Sequence, residues 1–261
     1  AFTVAKTAGM DVAHDIYQAV VKAAETGQAF RDFRRELTPI LQAKGWWGRQ
    51  QAPNPDTGEI QNVQLGSPYR LKTIYLTNLQ SAYMAGRYAE MTAAKDTHPY
   101  WQYVAVNDKR TRESHRKLHG RVYAADDPVW DTLYPPLDYR CRCRVRPLSR
   151  AQGEDKVLPS PKLETITVDI GANKSTGEQR YAQRTGIRLP DGTFVAPNAG
   201  FNANQGKTFL QRTAGTAIQK AQSVPPELAK TAVREMMTHE KFRNALSLAE
   251  LAWVAELLGL Q

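Results

Sequence analysis

The chain has only two cysteines, Cys141 and Cys143, and both lie in the run YPPLDYRCRCRV, residues 134 to 145. Two histidines, His115 and His119, precede them at a spacing of four. Thiolate and imidazole are preferred zinc ligands, and two of each complete a tetrahedral site. On a helix, the four-residue spacing puts both rings on one side. His115, His119, Cys141 and Cys143 are therefore a candidate structural zinc site. Two other readings of the thiols stand beside it. A disulfide across one residue is strained, because same-face neighbours of a strand sit beyond comfortable Cα spacing. Buried cysteines acting as small hydrophobes need no partner chemistry.

The residues between the thiols carry a second chemistry. Successive side chains of a strand face opposite ways. A strand over 140–146 therefore turns Cys141, Cys143 and Val145 inward, and Arg140, Arg142, Arg144 and Arg146 outward as a basic stripe. Residues 101–150 hold 11 Lys and Arg against 6 Asp and Glu, a local +5 within a chain total of +9. With Arg110, Arg112, Arg116 and Lys117, the stripe suits DNA phosphates or an acidic partner surface. Phosphate contacts of this kind ignore sequence and weaken steeply with salt. His115 and His119 are also residue types that serve as acid and base in phosphodiester cleavage. No metal-nuclease motif or glycine-rich phosphate loop accompanies them, so no catalytic residues are expected.

Several elements must position these groups. Residues 11–25 put Val12, Ile16, Val20 and Ala23 on one face, with Asp11 as N-cap. A second helix comes next, with Phe30, Phe33, Leu37 and Leu41 inward and a kink or a restart at Thr38-Pro39. The Pro, Gly, Asn and Gln of 48–66 read as an exposed loop. A long helix over about 68–95 carries Leu71, Ile74, Leu79, Tyr83 and Tyr88. Strand composition marks 100–106, 121–123 and 140–146. Trp101 and Trp130 read as anchors of a small sheet, and Asp126 and Asp127 as caps of a turn or helix. Residues 149–161 look like a linker. Two further strand signals succeed it, the second a hairpin turning on Pro190-Asp191-Gly192. Helices are expected over 205–222, 226–238 and 241–258, the last with Leu246, Ala249, Trp253 and Leu257 near one face. That face packs into the protein's own core or docks on a partner, and self-burial is the expectation.

The fold class is therefore α+β, a small β-rich centre between helical ends. Its regions are 1–97 (helical), 98–150 (central core), 151–203 (hairpin extension) and 204–261 (helical). No apolar run reaches the roughly 18 residues needed to span a bilayer. Two cysteines cannot scaffold a chain of this length, which points to synthesis in a reducing cytosol. The chain opens AFTVAK, with neither methionine nor signal peptide, and reads as part of a longer product.

The centre resembles the bacteriophage Mu F-like head-morphogenesis family, minor capsid proteins of tailed phages. The resemblance rests on the ordered set Asp108, Arg110, Arg112, His115, Leu118, Gly120, Asp127-Pro128, Trp130, Pro135-Pro136 and Cys141-Arg142-Cys143. Thr77-Asn78, Ala82-Tyr83 and Gly86-Arg87 match the preceding helix, and GFNANQGK (200–207) resembles the turn that comes after the motif. The resemblance implies a virion component, made in the bacterial cytoplasm, that acts in head assembly near the portal. Portal or major capsid protein, and packaged DNA, are the partners it implies. The rival reading is a phage-carried nuclease or toxin using His115 and His119. Residues 204–261 look too short and too purely helical for a separate toxin domain.

Overall fold

The computed structural model describes residues 10–53, 58–173 and 176–260. They divide into two compact units. The first holds the residues up to Ala82, with short returns at 138–141 and 165–184; the second holds the rest.

In the first unit, helix α1 (Met10–Thr26) buries Val12, Ile16, Val20 and Ala23, the predicted stripe. Asp11 lies in the first turn rather than at the cap, and its carboxylate is 3.2 Å from Lys44 Nζ. Gly27, at φ 67°, stops the helix in the left-handed conformation that glycine adopts without strain. Helix α2 (Phe30–Ala43) buries Phe33, Leu37 and Leu41. It runs unbroken through Pro39, with no restart at Thr38, because buried residues on both sides of the proline hold one helix together. Trp46, and Leu71 and Tyr75 from α3 (Pro68–Ala93), complete this core. Each large apolar side chain buried here stabilises the unit by about 1.5–3 kcal/mol.

The expected loop at 48–66 is instead an antiparallel hairpin, β1 (Arg49–Pro53) against β2 (Ile60–Gln64). Its pairing is carried by backbone hydrogen bonds between polar strands, so no apolar alternation announced it.

The second unit is built on a three-stranded antiparallel sheet, with β3 (Tyr100–Val104) between β4 (Val122–Ala124) and β5 (Arg144–Leu148). β3 buries Trp101 and Tyr103 and leaves Tyr100, Gln102 and Val104 less covered, the alternation of a one-sided sheet. The expected strand over 140–146 begins only at Arg144. Before it, Arg140 takes φ 56° and the Cys141 N–H bonds Asp138 O at 3.1 Å, so the backbone is a turn. Burial nevertheless alternates as expected, with Cys141, Cys143 and Val145 inside.

Short helices α4 (Glu113–Arg116), α5 (Val129–Leu133) and α6 (Arg150–Gly153) connect the strands. α6 lies in the expected linker and is closed by a capping box between Ser149 and Gln152. Trp101 and Trp130 are buried as anchors with ring centroids 5.8 Å apart. Tyr88 meets Trp101 and Tyr134 edge-on, at 5.7 and 5.2 Å. Tyr83, which shares the helical spacing of the other α3 residues, is exposed.

A third sheet has the order β6 (Leu163–Ala172), β7 (Gln179–Arg188) and β8 (Phe194–Val195), with β7 and β8 joined across the predicted turn. Helices α7 (Gln205–Gln222) and α8 (Pro226–Thr238) match the predicted ranges. The expected helix over 241–258 is two, α9 (Glu240–Arg243) and α10 (Leu248–Leu258). The second restarts at Ser247, whose hydroxyl and backbone N–H both bond Glu250 in a capping box. Ile218, Val233, Leu246 and Val254 are buried together, with Leu251, Trp253 and Leu257 packed against them.

Candidate functional site

After β3, the chain turns through Asn107, at φ 59°, into Asp108. Asp108 holds this turn together. Its Oδ1 accepts the Arg110 N–H at 2.9 Å, a side-chain turn of the kind Asp favours. Its carbonyl accepts from Arg116 Nη2 at 3.1 Å, while Arg116 Nη1 reaches Glu113 at 3.1 Å. Its two carboxylate oxygens accept from Arg142, Nη1 to Oδ2 and Nη2 to Oδ1, each at 2.6 Å. The Arg142 guanidinium, reinforced by the Arg110 N–H, holds the Asp108 carboxyl well below the usual carboxylate range. Such a two-point pair fixes geometry as well as charge.

This turn leads into α4, which carries His115 inward. The helix ends at Arg116, so His119 is not on its face. His119 is exposed, and its Nδ1 accepts the Ala105 N–H at 3.1 Å. His115 is buried, with Nδ1 3.7 Å from Cys143 Sγ. Cys141 and Cys143 are both buried, and neither is in a disulfide. One residue separates them, so the chain itself fixes the two thiols relative to each other. The ligand atoms of His115, Cys141 and Cys143 all lie within 4.8 Å of one another. Of the four candidate zinc ligands, three come together and His119 stands apart.

The eight candidate contact cations divide in a similar way. Arg140 turns to α3, with Nε on Thr73 Oγ1 at 2.9 Å and the guanidinium 4.0 Å from the Tyr69 ring centre. Arg142 is committed to Asp108. Lys117 bonds Asp191 and Thr193 at 2.8 and 2.6 Å, which pulls the Asp191 carboxyl below its ordinary range. Arg110, Arg112, Arg116, Arg144 and Arg146 are exposed, and Arg146 also bonds Gln102 Oε1 at 2.8 Å. Arg87, from α3, donates to the Val145 carbonyl at 3.3 Å. The candidate partner residues Leu246, Trp253 and Leu257 all pack within the C-terminal helical cluster.

Sequence reasoning missed two positioning residues. Asp108 counts there only as part of a motif, although Asp-x-Arg-Thr is an Asx-turn signal. Asn204 is buried; its Oδ1 accepts the N–H groups of Gly206 and Lys207, and its Nδ2 donates to Trp130 O at 3.0 Å. It therefore caps α7 and ties that cap to α5. A side chain at Gly206 would overlap Tyr88, which explains the glycine two residues on. Asp127 closes the turn into α5, one of the two capping roles expected of it, accepting the Val129 N–H at 2.8 Å.

This arrangement, a helix, a small sheet and a buried His–Cys–Cys group framed by arginines, falls in a matched segment. Residues 14–146 match the family described as Phage Mu protein F like protein, and the chain belongs to that family. It is 38% identical, over 99% of its length, to the Mu-like prophage FluMu F protein of Haemophilus influenzae, of which the match covers 61%. It is 39% identical, over 99% of its length, to the putative capsid assembly protein F of Escherichia phage Mu, covering 58% of it. The chain thus spans about three fifths of the length of these relatives. A 47-residue stretch is also 49% identical to an uncharacterized protein of Methanocaldococcus jannaschii, across 18% of this chain and 7% of that protein. No solved structure matches.

Proposed function

We propose that the protein is a minor capsid component of a tailed bacteriophage that acts in head assembly, resides in the virion and works near the portal. One observation carries this reading: 39% identity, end to end along this chain, with a relative named as a putative capsid assembly protein. Its partners are phage structural proteins, the portal or the major capsid protein. The exposed arginines at 110, 112, 116, 144 and 146 supply a surface for packaged DNA or an acidic partner. The role is structural rather than catalytic. The two central histidines are not paired at an open surface: His115 is buried against a thiol, and His119 is tied to the backbone just after β3. No described helix is long and apolar enough to cross a membrane.

Deleting the gene from the producing phage or prophage tests the proposal. Electron microscopy of induced lysates should show few or malformed heads, rescued when the gene is supplied in trans. Normal numbers of filled, infectious heads would contradict it.

A further inference from the structure

We propose that His115, Cys141 and Cys143 bind one zinc ion through one imidazole nitrogen and two thiolates, with water at the fourth corner. The inference rests on this donor set and its spacing, independently of the assembly role. Zinc sits about 2.0 Å from imidazole nitrogen and about 2.3 Å from thiolate sulfur. In a tetrahedron these bonds place nitrogen and sulfur about 3.5 Å apart. The observed 3.7 Å between His115 Nδ1 and Cys143 Sγ is close to that edge. The Cys141 thiol lies within 4.8 Å of the other two donors.

Charge supports the same assignment. Binding converts two thiols to thiolates, and the two protons pass to solvent. The two negative sulfurs then neutralise the dication, so the buried group carries no net charge, as a site of this depth requires. Thiolate and imidazole select zinc over magnesium or calcium, which want oxygen. Around the cluster, the chain is pinned in ways that fix the donors without using them. Asp108 and Arg142 clamp the turn before α4 to the residue between the cysteines. His119, whose Nδ1 accepts the Ala105 N–H, is not among the three grouped donors.

The test uses the full 261-residue chain, produced with zinc in the medium and purified without chelator. Elemental analysis should find one zinc per chain, and exchange with cobalt should give the thiolate-to-metal charge-transfer band of a tetrahedral site. Cys143→Ser and His115→Ala should bring the zinc content close to zero. Because those variants can fail to fold, the wild-type chain is also melted with and without a strong chelator; removal of zinc should lower Tm. Metal-free protein whose melting ignores both zinc and chelator, with no cobalt band, would overturn the proposal. The thiols would then be small apolar residues of the core.

Discussion

Arg142 holds Asp108 at two points, each 2.6 Å long, across 34 residues of chain. The arginine between the cysteines is therefore a clamp on the turn that leads to His115. That explains why an arginine sits between two buried thiols: the side chains that alternate with Cys141 and Cys143 are partly internal fasteners. Arg140 grips α3 in the same manner. Only Arg144 and Arg146 of the stripe are exposed.

The Asp108 clamp makes a pH prediction. Its carboxyl is held below the ordinary value of 3.8, with Arg142 the largest cause. A carboxyl depressed on folding stabilises the protein above its unfolded pKa, and that contribution is lost as pH falls through the folded value. The gap in Tm between wild type and Asp108→Asn should therefore persist from neutral pH down to the ordinary carboxylate range and close below it. A gap that is constant throughout, or absent at neutral pH, would mean that the ion pair is not what stabilises this turn.

Asn204→Ala should destabilise by about 1–2 kcal/mol, since it strips a cap and leaves buried donors unpaired. Asn204→Asp keeps the acceptor for Gly206 and Lys207 but loses the donation to Trp130 O, and should cost less. Chemical denaturation compares the two. Equal losses would mean that capping is not what the side chain contributes.

Gly206→Ala should also destabilise, although alanine ordinarily gains about 1 kcal/mol over glycine within a helix. The added methyl would overlap Tyr88, part of the aromatic cluster with Trp101 and Tyr134. A higher Tm for the variant would show that Gly206 and Tyr88 do not approach this closely.

Removing residues 239–261 takes Leu246 and Val254 out of a cluster shared with Ile218 and Val233. The expected result is an insoluble or partly unfolded remainder, seen by circular dichroism and gel filtration. A soluble, folded remainder that no longer joins heads would instead make this helix a docking element.

Replacing Arg110, Arg112, Arg144 and Arg146 with Gln should weaken retention of duplex DNA and flatten its salt dependence. Each phosphate left without its arginine reduces the log–log slope by roughly 0.9. Filter binding across a salt series measures this. An unchanged slope would send these arginines to an acidic protein surface or to solvent.

Much of the fold is legible in the sequence because local pattern and burial agree. Val12, Ile16, Val20 and Ala23 recur at helical spacing and are buried at that spacing. The turn Pro190-Asp191-Gly192 joins the strands it is expected to join. The β1–β2 hairpin is not legible, since RQQAP and IQNVQ carry no apolar face. Around the thiols, period-two alternation gives the right inward faces but the wrong backbone. The left-handed Arg140 and the Asp138 turn reproduce alternating burial without a strand. Helical spacing pairs His119 with His115, but α4 ends after four residues and His119 lies in the turn to β4. The Asp108–Arg142 clamp is a long-range pairing, and one sequence carries no sign of which acid meets which arginine.

Quantitative mass spectrometry of purified virions, counting this chain against the portal protein, tests the central claim most directly. A minor head component should be present in every preparation at a few to a few tens of copies per particle, a fixed ratio that survives further purification. Its absence from particles that are otherwise complete would contradict the structural role.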